Sequence, residues 1–182
     1  MHSCALCGVP EQRLTSIRSL LVVSKSDLCE KTAYDLSEAI GRPGAAKGVR
    51  CDLANLTSIR EAFATAETLL GPVDVLVNNA GITIDSLVVK LREDEMQEVM
   101  ITNLMAPLVF AREVSKSLLK RKAAEGNIIM IGSVIADQGN VGQTVYAASK
   151  SGLSGAVKSL ALELGSRGIR TNLIHPGYVK TD

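Results

Sequence analysis

The chain has 182 residues, 46% of them hydrophobic and 21% charged, with a formal net charge of +1. That is enough apolar material for one α/β domain with a proper core. The balanced charge, with 3% aromatics and no Trp, argues against a nucleic-acid grip or a base-stacking platform.

No apolar run approaches the roughly 18 residues of a membrane span. Met1 to Gln12 lacks an n-region followed by an apolar stretch, so no secretory signal is expected. Arg13 and Arg18 among Ser and Thr hint at an organellar leader, against which Glu11 counts. The expected compartment is the cytoplasm or the mitochondrion. The cysteines are Cys4, Cys7, Cys29 and Cys51. Cys4-x-x-Cys7 reads either as half a zinc site or as two ordinary reduced thiols. No second such pair exists and His2 and His175 stand apart, so no metal site is expected.

Apolar runs then alternate with helical patterns. The first strand is predicted at Leu20–Ser24 and the first helix at Cys29–Ile40. A strand at Gly48–Asp52 precedes a helix at Thr57–Leu70. Val73–Val77 is the third strand, followed by a long helix over Glu93–Lys120 that opens at Arg92 or Asp94. Asn127–Ile131, a helix at Thr144–Leu164 and Thr171–Ile174 complete the series. Most of these strands are continuous apolar runs, the mark of a parallel sheet covered on both faces. Gly41, Gly71, Gly126 and Gly165 stand just past helix ends, where a C′ glycine belongs. The rhythm predicts a doubly wound parallel α/β sheet with ligands at the carboxyl ends of its strands.

Polar and small residues fall at those ends. Asp52 closes one strand, Asn78-Asn79-Ala80-Gly81 follows another, Gly132-Ser133 a third and Pro176-Gly177 a fourth. Each is compatible with turn chemistry alone. Together they trace one crevice.

The sharpest pattern is Tyr146-Ala147-Ala148-Ser149-Lys150. Tyr146, Lys150, Leu153, Val157, Leu160 and Leu164 are spaced 4, 3, 4, 3, 4, the stripe of a helix's buried face. A phenol and an ammonium on that face are costly unless something uses them. A neighbouring cation favours phenolate, which makes a Tyr a usable proton donor and acceptor.

These residues, in this order, resemble the short-chain dehydrogenase/reductase family from about Leu20 to Asp182. The match rests on Asn78-Asn79-Ala80-Gly81, Asn103, Ser133, Tyr146-x-x-x-Lys150 and Pro176-Gly177. Gly81-Ile82-Thr83 and the run Gly139 to Tyr146 look most like 3-oxoacyl-acyl-carrier-protein reductases and their carbonyl-reductase relatives. The resemblance implies a Rossmann-type fold and hydride transfer from NADPH, or less readily NADH, to a carbonyl. The substrate would be a 3-oxoacyl thioester or a similar ketone, free or carrier-bound. Tyr146 would be the general acid and Ser133 would bond the substrate oxygen as it gains charge. Lys150 would bind the nicotinamide ribose and bias Tyr146. Asn103 would hold a water that passes protons to Lys150.

Pro107 supplies a reason for the last role. It cannot donate to the carbonyl of Asn103, four residues back. The plainer reading is a polar helix residue followed by a kink. By the same resemblance Asp52 and Leu53 would flank the adenine, and Asn79, Ala80 and Gly81 would line the cofactor floor. Pro176, Gly177 and Val179 would meet the nicotinamide. Lys25 replaces the acid that an NAD site uses for the ribose 2′-OH, which favours NADPH. It also reads as a solvated loop lysine.

The resemblance breaks at both ends. The family opens on a strand and a glycine-rich T-G-x-x-x-G-x-G phosphate turn. Residues 1–19 contain one glycine, Gly8, followed by Val9-Pro10, and Pro10 has no N–H to offer. Segment 1–19 is expected to replace the turn, and 20–182 to form a partial Rossmann-type dinucleotide-binding and catalytic domain. The family's own first strand is expected to be missing or altered together with the turn, since residues 1–19 are too few for strand, turn and helix. Its last strand is expected to be missing or altered likewise, since the family continues past Asp182 into a substrate lid, further helices and a last strand. Losing charge-assisted hydrogen bonds worth about 1.5–3 kcal/mol each would lower cofactor affinity by orders of magnitude. The alternatives are a catalytically silent binding or scaffolding subunit and an unstable truncation product. Either the enzyme or the silent subunit would associate, as a homo- or hetero-oligomer, through helices 93–120 and 144–164.

Overall fold

The computed structural model describes residues 20–24 and 28–179, with side chains from Cys29 onward. Segment 1–19, with Cys4 and Cys7, and Lys25 lie outside the described residues. The described chain divides into two compact units at Val73/Asp74.

In the first unit, β1 (Leu20–Ser24) pairs in parallel with β2 (Ala46–Arg50), Leu20 opposite Ala46 and Ser24 opposite Arg50. Helix α1 (Leu28–Ala39) buries Cys29 and Ala33 against Ala46, with Leu36 packed beside them. Ser37 is buried yet satisfied. Its hydroxyl donates to Ala33 O at 2.9 Å and accepts from Ala46 N at 3.0 Å, tying the helix to β2. Helix α2 (Leu56–Leu70) starts where Asn55 Oδ1 accepts from Thr57 N and Ser58 N, which satisfies two orphan donors. Strand β2 ends at Arg50, so Asp52 stands in the turn beyond it rather than closing the strand. There its carbonyl accepts from Asn55 N and its carboxylate from Ala54 N, turn bonds that end the ladder.

The second unit is built on three parallel strands in the order β3 (Val75–Asn78), β4 (Gly126–Ile131), β5 (Ile169–Ile174). Val75 lies opposite Asn127, and Gly126 opposite Ile169. Strand β4 is central, with Ile128 and Met130 wholly buried. Strand β5 alternates instead of being covered on both faces: Ile169 and Thr171 are buried, while Arg170, Asn172 and Ile174 are exposed.

The helix predicted over 93–120 is three segments. Helix α3 (Glu93–Met100) leads into a π-helical stretch, Ile101–Met105, and then helix α4 (Ala106–Lys120). Ala106 N bonds Ile101 O, five residues back. Pro107 removes the donor that an unbroken α-helix would need at Asn103. The helix widens there rather than only kinking. Arg92 stands at the entrance, its N–H bonded to Glu95 Oε2 at 3.0 Å. After β4 come a short helix α5 (Ile135–Gln138) and the long α6 (Thr144–Leu164), which coincides with its prediction. Ser149, Lys150, Leu153, Val157 and Leu164 are buried on α6, while Tyr146 and Leu160 are half-buried.

Two of the four predicted terminal glycines behave otherwise. Gly41 and Gly71 take positive φ past their helices, but Gly126 opens β4 and Lys122 (φ 52) makes the turn before it. Gly165 (φ −61) continues into a 3-10 turn, Gly165–Arg167, and Gly168 (φ 76) takes the left-handed position.

Candidate active site

Lys150 is 4% exposed. Its ammonium donates to Ile131 O, the last carbonyl of β4, at 2.8 Å, and stands 5.9 Å from the centre of the Tyr146 ring. The i, i+4 spacing on α6 therefore brings cation and phenol together, and β4 supplies the anchor. Burial pulls the ammonium down to about 8, because the charged form loses water that one carbonyl cannot replace.

Asn103 sits in the π-helical stretch and is wholly buried. Its Oδ1 accepts from Ile82 N at 2.8 Å and its Nδ2 donates to Ile82 O at 2.8 Å. The same amide donates to Ser149 Oγ at 3.1 Å, and that hydroxyl donates to Tyr146 O at 2.7 Å. The side chain is thus a clamp joining the loop after β3 to the turn that carries Tyr146. Its side-chain hydrogen bonds all run to groups within the protein. The only mark Ser149 carries in the sequence is its place three residues after Tyr146, on the same helix face.

The loop after β3 holds Asn79, Ala80 and Gly81, all half-buried. Asn78 Nδ2 reaches Pro107 O at 3.3 Å, which joins β3 to α4. A Cβ on Gly81 would stand 3.1 Å from Lys150 Nζ and 3.3 Å from Asn103 Oδ1. Any larger residue would push into both groups.

Ser133, at the end of β4, is buried. Its Oγ accepts from Ile135 N at 3.2 Å, which leaves the hydroxyl proton free to donate elsewhere. Ser151 Oγ donates to Ala136 O at 2.6 Å, joining α6 to α5. Two loops meet beside the N-terminus of α6. Ser86 N bonds Gly142 O at 2.9 Å, and Asp85 accepts from Thr83 Oγ1 at 2.6 Å and from Gln143 Nε2 at 2.9 Å. Those hydrogen bonds hold the Asp85 carboxyl below the usual carboxylate range. Past β5, Pro176 is half-buried while Gly177 and Val179 are exposed.

Asn79, Ala80, Gly81, Asn103, Ser133, Tyr146, Lys150, Pro176, Gly177 and Val179 all belong to the second unit. Asp52 and Leu53 belong to the first, each half-buried in the turn after β2. Lys25 lies outside the described residues.

Parallel strands joined by helices, with a buried Lys beside a Tyr on α6 anchored to the last carbonyl of β4 and an Asn clamped nearby, define a parallel α/β protein. Comparison with known proteins agrees. The family model described as short chain dehydrogenase matches residues 15–182. The 3-oxoacyl-acyl-carrier-protein reductase of Salmonella typhimurium is 40% identical over 153 residues, which are 84% of this chain and 61% of that protein. The reductase of the same name from Buchnera aphidicola is 44% identical over 135 residues, 74% of this chain and 54% of its own. A crystal structure of a blue fluorescent protein from a metagenomic library, in complex with NADPH, superposes with a TM-score of 0.82. It is 37% identical, and the match covers 94% of this chain and 69% of the other. The chain spans about three fifths of the length of the curated relatives it matches. It belongs to the short-chain dehydrogenase family and has that family's Rossmann-type parallel α/β fold.

The family implies a nicotinamide dinucleotide, and the residues beside Gly81 suit one. A lysine has three N–H donors, and Ile131 O takes one of them. The others remain for sugar hydroxyls, and the absence of a Cβ at Gly81 lets the loop after β3 lie against the ammonium.

Proposed function

We propose that this chain carries the catalytic centre of an NADPH-dependent reductase that converts a carbonyl to an alcohol, the substrate being a 3-oxoacyl thioester or a similar ketone. The observation that carries this reading is the buried Lys150 ammonium, bonded to Ile131 O and set beside the Tyr146 ring. The names of the relatives and the NADPH in the blue fluorescent protein's structure support it.

NADPH, when bound, supplies the hydride to the carbonyl carbon. Tyr146 gives its phenolic proton to the carbonyl oxygen. Ser133, whose acceptor side is taken by Ile135 N, turns its hydroxyl proton toward the oxygen as charge grows there. Lys150 bonds the ribose hydroxyls, and its charge favours the phenolate that Tyr146 leaves behind. A water on the Asn103 carbonyl, which Pro107 cannot engage, returns the proton through Lys150. Asn79, Ala80 and Gly81 floor the cofactor, and Pro176, Gly177 and Val179 meet its nicotinamide end. Asp52 and Leu53 flank the adenine, and Lys25 pairs with the 2′-phosphate. Subunits associate through residues 93–120 and 144–164, a reading supported by exposed Leu162, Leu119 and Met105 in those segments.

The test is NADPH binding to the full chain by calorimetry, followed by ketone-dependent NADPH oxidation. Micromolar binding with turnover is the expected result. Tyr146→Phe should abolish turnover while cofactor affinity stays within about threefold. A chain that binds no NADPH would instead be the silent subunit.

A further inference from the structure

We propose that His175 is the positioning residue of Ser133: its ring holds the Ser133 carbonyl and so fixes the loop that aims the serine hydroxyl. The inference rests on the reductase reading only for the meaning of that hydroxyl. The geometry stands apart from it.

His175 follows β5 directly, and its Nδ1 lies 2.9 Å from Ser133 O. The same nitrogen is 3.4 Å from Asp137 Oδ2, on α5. A carbonyl and a carboxylate oxygen both accept, so Nδ1 carries the proton and Nε2 the lone pair of the neutral ring. The ring is seated against backbone. A Cβ on Gly132 would meet His175 Cδ2 and Nε2 at 3.3 Å, so a larger residue before Ser133 would press on the imidazole.

The surrounding backbone explains why a side chain is needed. Gly132 N bonds Ile174 O at 2.8 Å and Val134 N bonds Pro176 O at 3.1 Å. These bonds extend the β4–β5 contact past its last registered pair, Ile131 and Ile174. Every donor in them comes from the β4 side. Pro176 has no N–H to give back, and the imidazole supplies the return donor from the β5 side. Ser133 is therefore held from two directions, its carbonyl by His175 and its Oγ by Ile135 N. Releasing the carbonyl lets the peptide plane turn, and the hydroxyl turns with it. Misplacement of a catalytic group by about 1 Å can cost on the order of a hundredfold.

Two substitutions separate this role from simple packing. Asn at 175 offers an amide N–H where Nδ1 stood, while Phe keeps a ring and offers no donor. In ketone reduction by the full chain, His175→Asn should retain kcat within about threefold. His175→Phe should lower kcat about tenfold or more, with the KM for NADPH unchanged. Equal losses in the two variants, or no loss in His175→Phe, would overturn the proposal. An arm independent of turnover uses nitrogen and carbon NMR. The chain has two histidines, His2 and His175, so the ring is readily assigned. The neutral wild-type ring should be the Nδ1–H tautomer, and the Ser133 carbonyl resonance should move in His175→Phe and stay in His175→Asn. An Nε2–H tautomer, or a Ser133 carbonyl indifferent to Phe, sinks the proposal. The tautomer is read on the wild-type chain, so it is decided even where a variant does not fold. A chain with no turnover but with the Nδ1–H tautomer would refute the reductase reading and leave the His175–Ser133 tie standing.

Discussion

Burying the Lys150 ammonium works against folding. Its ordinary value of 10.5 falls to about 8 through desolvation, a difference worth about 3 kcal/mol. The sign follows from proton counting. Between pH 8 and 10.5 the unfolded chain holds a proton at Lys150 that the folded chain has released, so stability rises with pH across that window. The penalty is fully present below pH 8 and fades toward pH 10.5. Urea unfolding of wild type and Lys150→Met at about pH 7 and about pH 10.5 should show it. The stability of the variant relative to wild type should fall by about 3 kcal/mol over that range. A constant difference would mean that the ammonium keeps its water. For catalysis the sign is the reverse. On the proposed reductase reading, Lys150 loses its charge as pH rises through about 8, and kcat for ketone reduction should decline there. Lys150 next to Tyr146 is legible in a bare sequence, since four residues make one helical turn. The clamp of Asn103 on Ile82 is not.

At the scale of elements, the ends of α6 and of the π-helical stretch are set by backbone chemistry that looks ambiguous in one dimension. By spacing, Gly165 is the glycine expected to end the helix. In the fold, Gly165 has φ −61, and a Cβ added to it would meet nothing within 4 Å. Gly168 has φ 76, and a Cβ there would meet Ala124 O at 2.5 Å. Gly165→Ala should therefore be neutral or stabilising by up to about 1 kcal/mol. Gly168→Ala should cost about 2–5 kcal/mol, the sum of a left-handed backbone and an overpacked contact. Thermal melts of the two variants check the pair, and equal effects would place the cap elsewhere. Pro107 teaches a related lesson. A missing N–H announces that the helix changes there, but widening and bending both accommodate it. The widening turns Asn103 inward to meet Ile82 and Ser149, and that choice depends on the neighbours.

On the scale of the whole molecule, a ligand that binds only the folded chain stabilises it by mass action, about 2.7 kcal/mol at a hundred times its Kd. NADPH at that excess should raise the melting temperature, and Lys25→Ala should diminish the shift from NADPH more than that from NADH. Equal reductions would remove Lys25 as the reader of the 2′-phosphate. Among the described residues no helix is long and apolar enough to cross a membrane.

Local chemistry was enough to place the parallel α/β class, the five strands to within two residues at their ends, the buried face of α6, and the Tyr146–Lys150 pair. Each of these depends on residues within a few positions of one another, where periodicity and turn preference act directly. The tertiary structure alone decided what those residues touch. Asn103 finds Ile82 across 21 positions and Ser149 across 46, and His175 finds Ser133 across 42. Contacts at such separations follow from how strands pair and helices pack, and a small polar residue carries no local mark of the partner that folding brings to it.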